Sequence, residues 1–267
     1  MEKVIFIDID GTLRNDKKKI TRTTLKTLKK AKDKGYEIVL CTGRPCDYTL
    51  EINKDIKCRY IIYNNGGGIY DTLNNKNVYE NIMNKKDTLR LYDIIKDLDL
   101  RIIISSNCKT YINKLKNNEI LIEGKISDFI KNNNIVQITI TSDDVYIIKN
   151  LKTEIEKIKS INIINQSKHL IDESFEKKGS TYYDIVDIKT SKGNAIKEFC
   201  KLYNVEKEDC IGIGDSDNDL TMFLECGYKV AMGNSIPTLK AKADYITDTN
   251  NDEGVAKFLE NQIILKK

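Results

Sequence analysis

Four short clusters in this chain carry side chains whose types and spacing could do chemistry: Asp8-Ile9-Asp10-Gly11-Thr12, Thr42-Gly43-Arg44, Ser191-Lys192-Gly193 and Asp215-Ser216-Asp217-Asn218-Asp219. In extended backbone, residues two apart point the same way, so Asp8 and Asp10 would stand a few ångströms from each other. Like charges that close are costly unless a cation sits between them or one of them holds a proton. A hard-metal or acid/base site is one reading, and a strand end running into an Asp-Gly turn is the other. Three carboxylates within Asp215–Asp219 form a second hard-cation set, since Mg²⁺ prefers oxygen ligands. The run lacks the regular odd-position ligands and terminal Glu of a calcium loop. Thr42-Gly43 could hold an anion through a hydroxyl and exposed amides at a helix start, or be a plain turn beside a surface Arg44. Lys192 would occupy a first helical turn, where a cation opposes the helix dipole, so it either has a purpose or is simply solvated.

Each cluster follows a segment that can hold it in place. Val4–Ile7 is an unbroken apolar run of the kind that suits a strand buried on both faces, and Asp8 stands at its carboxyl end, where open α/β sheets bind ligands. Thr21 reads as a helix cap for residues 22–34, with Gly35 ending that helix. Tyr36–Cys41 and Tyr60–Tyr63 read as further buried strands, with Pro45 placed to open the helix between them. Ile69-Tyr70 and Val78-Tyr79 could form a hairpin. After residue 188 the same pattern returns: a helix over Ser191–Leu202, strands at Cys210–Gly214, Lys229–Met232 and Asp244–Thr247, and a helix over Leu220–Cys226. Strand and helix alternating through short links predict a doubly wound parallel sheet.

Between these parts the pattern changes. Helices at Asp87–Leu98 and Asp143–Lys159, with strands near Arg101–Ser105, Val136–Thr141, Ile161–Ile164 and Tyr183–Ile185, predict a compact α+β insert with two helices. The expected organisation is a Rossmann-like core of residues 1–83 and 188–267, interrupted by an insert of residues 84–187.

Composition sets the outer limits. The 267 residues are 40% hydrophobic and 31% charged, with a formal net charge of +4, too small and too dispersed to argue for nucleic acid. No apolar run approaches the ~18 residues of a membrane span, and no leader is expected. Seven cysteines with no Cys-x-x-Cys pair predict reduced thiols in a cytoplasmic protein rather than a zinc site. The single histidine, His169, excludes chemistry that needs a His pair.

Asp8-x-Asp10-Gly11-Thr12-Leu13 after a terminal hydrophobic strand resembles the nucleophile motif of the haloacid dehalogenase superfamily. Thr42-Gly43-Arg44, Lys192-Gly193 and Gly214-Asp215-x-x-Asn218-Asp219 match its remaining motifs in order. Val230-Ala231-Met232-Gly233-Asn234, Lys242-Ala243-Asp244 and Asp252-Glu253-Gly254-Val255 match its Cof-type branch. Gly67-Gly68 depart from it where many members carry Ala. The place of the insert, between the Thr42 and Lys192 elements, resembles the type IIB cap.

The resemblance implies a Mg²⁺-dependent phosphatase of small phosphorylated metabolites. Asp8 would attack phosphorus and Asp10 would act as general acid and base. Asp8, Asp10 (through its carbonyl) and Asp215 would hold the metal. Thr42, Gly43, Lys192 and Asn218 would bind the phosphoryl oxygens, with Asp219 and Arg44 in support. The insert would close over the site and choose the substrate, and a monomer or weak homo-oligomer is expected. A phosphosugar mutase of the same type, or a sugar-phosphate-binding regulator, are the rival functions.

Overall fold

The computed structural model describes residues 3–114, 120–142, 144–164 and 181–265. His169 lies outside them. The chain divides into two compact units, one of residues 1–44, 48–79 and 191–267, the other of residues 45–47 and 80–190.

The first unit is built on an eight-stranded sheet. Its elements are β1 (Lys3–Ile7), α1 (Arg22–Asp33), β2 (Tyr36–Cys41), α2 (Cys46–Ile56), β3 (Tyr60–Tyr63), β4 (Gly68–Asp71) and β5 (Lys76–Glu80). Thr21 caps α1 by accepting from the Thr24 amide at 3.1 Å, and Leu28 and Ala31 of that helix are buried. The strand order is β14-β13-β12-β1-β2-β3-β4-β5, where β12 (Cys210–Gly214), β13 (Tyr228–Ala231) and β14 (Tyr245–Ile246) come from the last third of the chain. From β14 to β3 all pairings are parallel; β4 then runs antiparallel to β3. The chain leaves β1 toward β2 and β3, and later returns on the other flank through β12. The carboxyl ends of β1 and β12 therefore face a topological switch point.

Val4, Ile5, Phe6 and Ile7 of β1 have no exposed surface, as a strand covered on both faces requires. Phe6 meets Phe199 edge-on at 5.5 Å, and Tyr60 meets the same ring at 5.1 Å. Phe199 belongs to α6 (Lys192–Tyr203), so this aromatic cluster seats α6 on the sheet.

The second unit holds a six-stranded sheet, β10-β11-β9-β6-β7-β8. These are β6 (Arg101–Ser106), β7 (Lys109–Ile112), β8 (Ile120–Leu121), β9 (Gln137–Ser142), β10 (Ile161–Ile164) and β11 (Thr181–Asp187). Pairings are antiparallel except β7 with β8. The helices α3 (Lys85–Ile95), α4 (Ile126–Asn132) and α5 (Val145–Ile155) belong with it, and an isoleucine-rich core including Leu91, Ile95, Ile104, Ile130 and Ile155 is shared among these elements. The sequence reading expects two helices, and the structure has a third, α4. Seven residues make only about two turns, too few for a 3.6-residue period to stand out.

The cysteines need a correction. Cys46 and Cys108 form a disulfide, against the expectation of seven reduced thiols. They lie 62 residues apart, and the left-handed turn at Asn107-Cys108 brings their Cα atoms to 4.8 Å. Beside the bridge, Asp47 accepts from the Thr110 amide and hydroxyl, both at 2.8 Å. Sequence spacing carries no trace of such a contact. Thiol alkylation of unreduced, denatured protein should label five cysteines, and prior reduction should raise that to seven. Cys108→Ser should lower unfolding stability by about 2–4 kcal/mol in denaturant titrations, given the long loop the bridge closes.

Candidate active site

β1 delivers Asp8 and Asp10 into a nearly closed environment, 5% and 7% exposed. The Asp8 amide donates to Ile213 O at 3.0 Å, extending the β1–β12 ladder to the end of the strand. β12 delivers Asp215 on the adjacent strand end. Between these strand ends the chain turns at Gly11, φ +79°. A Cβ there would lie 2.3 Å from the Asp215 carboxylate, so only glycine lets that carboxylate pack against the β1 turn. The Thr12 hydroxyl donates to Asp215 Oδ1 at 3.1 Å.

Lys192 enters from the start of α6, where Ser191 caps the helix by accepting from the Asn194 amide. Its side chain is fully buried, and Nζ donates to Asp8 Oδ1 at 2.5 Å and to Asp219 Oδ1 at 2.7 Å. An ammonium at the first turn of a helix and out of contact with water is tolerable only with partners of this kind. Asp219 also accepts from the amides of Asp215 and Ser216 at 2.9 and 3.0 Å, both through Oδ2. With both its oxygens engaged, Asp219 orients Lys192 and the turn after β12.

The electrostatics follow from burial. Desolvation pushes the Asp8 carboxyl up to about 7, against the pull of Lys192, with Asp219 and Asp10 adding to the rise. Asp215 is pushed up to about 8 by burial and by the neighbouring Asp8 and Asp219 charges. For Lys192, burial works downward, but Asp219 and Asp8 outweigh it and hold the ammonium well above the usual lysine range.

Asp8, Asp215 and Asp219 each place an oxygen within 4.8 Å of the others. With all three carboxyls ionised, the cluster would carry two negative charges more than the one ammonium balances, the charge of one divalent cation. The donors are all hard oxygens, which suits Mg²⁺. Asp8 and Asp215 are the side chains fit to hold it, because Asp219 is spent on Lys192 and two amides.

Asp10 faces a different partner. Arg44 Nε and Nη2 grip its two carboxylate oxygens, the latter at 2.9 Å, and Arg14 Nη1 lies 3.4 Å from Oδ1. Such a two-point grip fixes the direction of the carboxylate as well as its position. Arg44, expected from sequence as a supporting residue or a surface side chain, is thus brought to the second aspartate. Thr42 is 1% exposed at the end of β2, its hydroxyl accepting from the Arg44 amide at 3.1 Å, and Gly43 is half-buried between them. Asn218 donates from Nδ2 to Asn65 Oδ1 at 3.0 Å and accepts from the Ser216 hydroxyl at 2.8 Å.

The sequence clusters therefore converge on one sheet edge. Thr12, Arg14, Ser216 and Asn65 were not singled out from sequence. Thr12 and Ser216 lie inside those clusters and Asn65 lies in the turn after a buried strand, which is the only signal these three carry.

A buried strand-end carboxylate is thus paired with lysine, next to a set of hard oxygens and a second aspartate, on a doubly wound sheet. The model of the haloacid dehalogenase-like hydrolases matches residues 5–259, and the chain belongs to that family, in its Cof-type branch. It is similar over 290 residues, at 29% identity and 97% of each chain, to 5-amino-6-(5-phospho-D-ribitylamino)uracil phosphatase YwtE of Bacillus subtilis (strain 168). A haloacid dehalogenase-like hydrolase from Bacteroides thetaiotaomicron superposes with a TM-score of 0.82 at 25% identity, covering 97% of this chain and 99% of its own. The HAD subclass IIB sugar phosphatase BT4131 superposes with a TM-score of 0.77 at 20% identity, covering 98% and 100%. This chain is accordingly a phosphatase. Among the described residues no helix is long and apolar enough to cross a membrane.

Two expectations follow from the charges. Lys192→Met strands Asp8 and Asp219 without their cation and should destabilise the fold by about 3–5 kcal/mol, with Lys192→Met/Asp219→Asn recovering part of the loss in urea unfolding. An acid whose folded-state value lies above its unfolded value contributes stability where it is protonated, and that contribution is lost as pH rises through the folded value. In chelator, wild-type stability should therefore fall from pH 5 to pH 8, as Asp8 and Asp215 titrate near 7 and 8. Asp215→Asn should flatten the fall, and saturating Mg²⁺ should remove most of it.

Proposed function

We propose that the chain is a Mg²⁺-dependent cytoplasmic phosphatase of small phosphorylated metabolites that works through an aspartyl-phosphate on Asp8. The observation that carries this reading is the pairing of Asp8 with the buried Lys192, beside a second aspartate that is held by arginine instead. Two carboxylates two residues apart thus live in different electrostatic surroundings, which suits them to different roles.

Asp8 attacks phosphorus in line and carries the phosphoryl group as an acyl phosphate. Lys192 holds the carboxylate in place and faces the oxygens on which charge develops, joined by the Thr42 hydroxyl, the Gly43 amide and the Asn218 carboxamide. Asp10 gives a proton to the leaving oxygen, then takes one from the water that hydrolyses the acyl phosphate. Arg44 steadies Asp10 between those two acts. A divalent cation bound by Asp8, Asp215 and the Asp10 carbonyl would supply the positive charge that keeps the nucleophile ionised beside an anionic substrate.

The relative YwtE is named for a phosphate ester on a ribityl chain, which supports a phosphorylated polyol or sugar as the substrate class. Phosphate release across a panel of phosphorylated metabolites is the experiment that identifies it.

Asp8→Asn keeps the shape and removes the attacking charge, so turnover should fall below a few per cent of wild type while circular dichroism is unchanged. Asp10→Asn should cost far more on a sugar phosphate than on p-nitrophenyl phosphate in single-turnover phosphorylation, because p-nitrophenolate leaves without help from an acid. Equal losses on the two substrates would remove Asp10 from the acid role.

A further inference from the structure

Beyond the residues already assigned, the turn that follows β3 presses into the same site. Asn64 and Asn65 are both left-handed there, at φ 47° and 57°, and Gly66 follows at φ +96°. A Cβ on Gly66 would lie 2.1 Å from Ser191 O and 3.1 Å from the Lys192 amide, so the turn lies directly against the start of α6. The Asn65 amide donates to Thr42 O at 3.0 Å. Its side-chain Oδ1 accepts from Asn218 Nδ2 at 3.0 Å. Asn65 thus bonds to two of the residues assigned to the phosphoryl oxygens, Thr42 and Asn218, and its neighbour Gly66 lies against the backbone that carries the third, Lys192.

Asn65 is 1% exposed, and among the described residues its Nδ2 has no hydrogen-bond partner. A sealed carboxamide nitrogen with two N–H groups and no acceptor is unfavourable in a folded protein. Its bonds to Thr42 and Asn218, two residues suited to oxyanions, indicate the acceptor that would complete it. The left-handed backbone has a consequence of its own: asparagine tolerates this conformation, whereas most residues do not.

We propose that Asn65 is part of the phosphoryl cradle. Its Oδ1 holds the Asn218 carboxamide in register, and its Nδ2 donates to a non-bridging oxygen of the bound phosphoryl group. The proposal rests on the phosphatase reading and adds to it a fifth anchor for the transferred group.

The experiment uses full-length Mg²⁺-loaded protein and inorganic phosphate as the probe. Asn65→Gly suits φ 57° and removes only the side chain. Asn65→Asp keeps the shape and the acceptor for Asn218 while replacing the donor with an anionic oxygen. Inhibition of p-nitrophenyl phosphate hydrolysis by phosphate should weaken at least tenfold in Asn65→Gly and more in Asn65→Asp, and the stabilisation of the fold by added phosphate should shrink in parallel. Without phosphate, thermal midpoints should stay within a few degrees of wild type. Should Asn65→Asp fail to fold, Asn65→Gly carries the same test. Both variants binding phosphate within twofold of wild type would overturn the proposal, as would an aspartate variant no worse than the glycine one. Failure of the phosphatase reading looks different: wild type would release no phosphate, or Asp8→Asn would release as much as wild type.

Discussion

The structure depends on one buried ammonium. Lys192 stands between Asp8 and Asp219 without contact with water, joining three separate stretches of sequence through two short charge-assisted bonds. Removing it would leave two buried carboxyls without their cation, and the ammonium could not be buried there without them. Its position is secured by the close approach of α6: a Cβ on Gly193 would lie 2.3 Å from Thr221 O, so a side chain at that point would push the lysine out of reach. The aromatic contacts of Phe199 with Phe6 and Tyr60 hold the same helix farther along.

What Lys192 leaves uncompensated is as informative as what it neutralises. Asp215 remains beside the pair with a carboxyl raised by burial and by its acidic neighbours, and the Thr12 hydroxyl only moderates that rise. With its carboxyls ionised, the site would be short of positive charge by an amount that suits a hard divalent cation. Asp10 is set apart from this shortage by Arg44 and Arg14. The two aspartates thus lie in a lysine environment and an arginine environment, which is the electrostatic basis for the different chemical roles proposed for them.

Legibility from sequence varied with how local the signal was. Core strands were readable because parallel strands covered on both faces appear as continuous apolar runs: Tyr36–Cys41 and Tyr60–Tyr63 are strands over the bounds the pattern predicts. Helix α1 was readable because Thr21 and Gly35 mark its ends. In the second unit β8 and α4 are too short for periodicity to reveal them, and β7 lacks the apolar run that marks β3; β7 finds its place by pairing with β6, β8 by pairing with β7, and α4 by packing in an isoleucine core. The Cys46–Cys108 bridge left no mark in cysteine spacing, because its closeness comes from a turn and a helix start far apart in the chain.

By itself the sequence determined the chemical inventory: which carboxylates, which lysine, which threonine, and that each follows a buried strand or opens a helix. These are properties of short segments, where side-chain periodicity and turn chemistry act over a few residues. Only the tertiary structure decided the pairings. That Lys192 serves both Asp8 and Asp219, that Arg44 grips Asp10, and that Asn65 meets Asn218 depend on strand order across the switch point and on helix approach at Gly66 and Gly193. Such contacts join residues up to 184 positions apart, and no local rule of the chain specifies a distance of that kind.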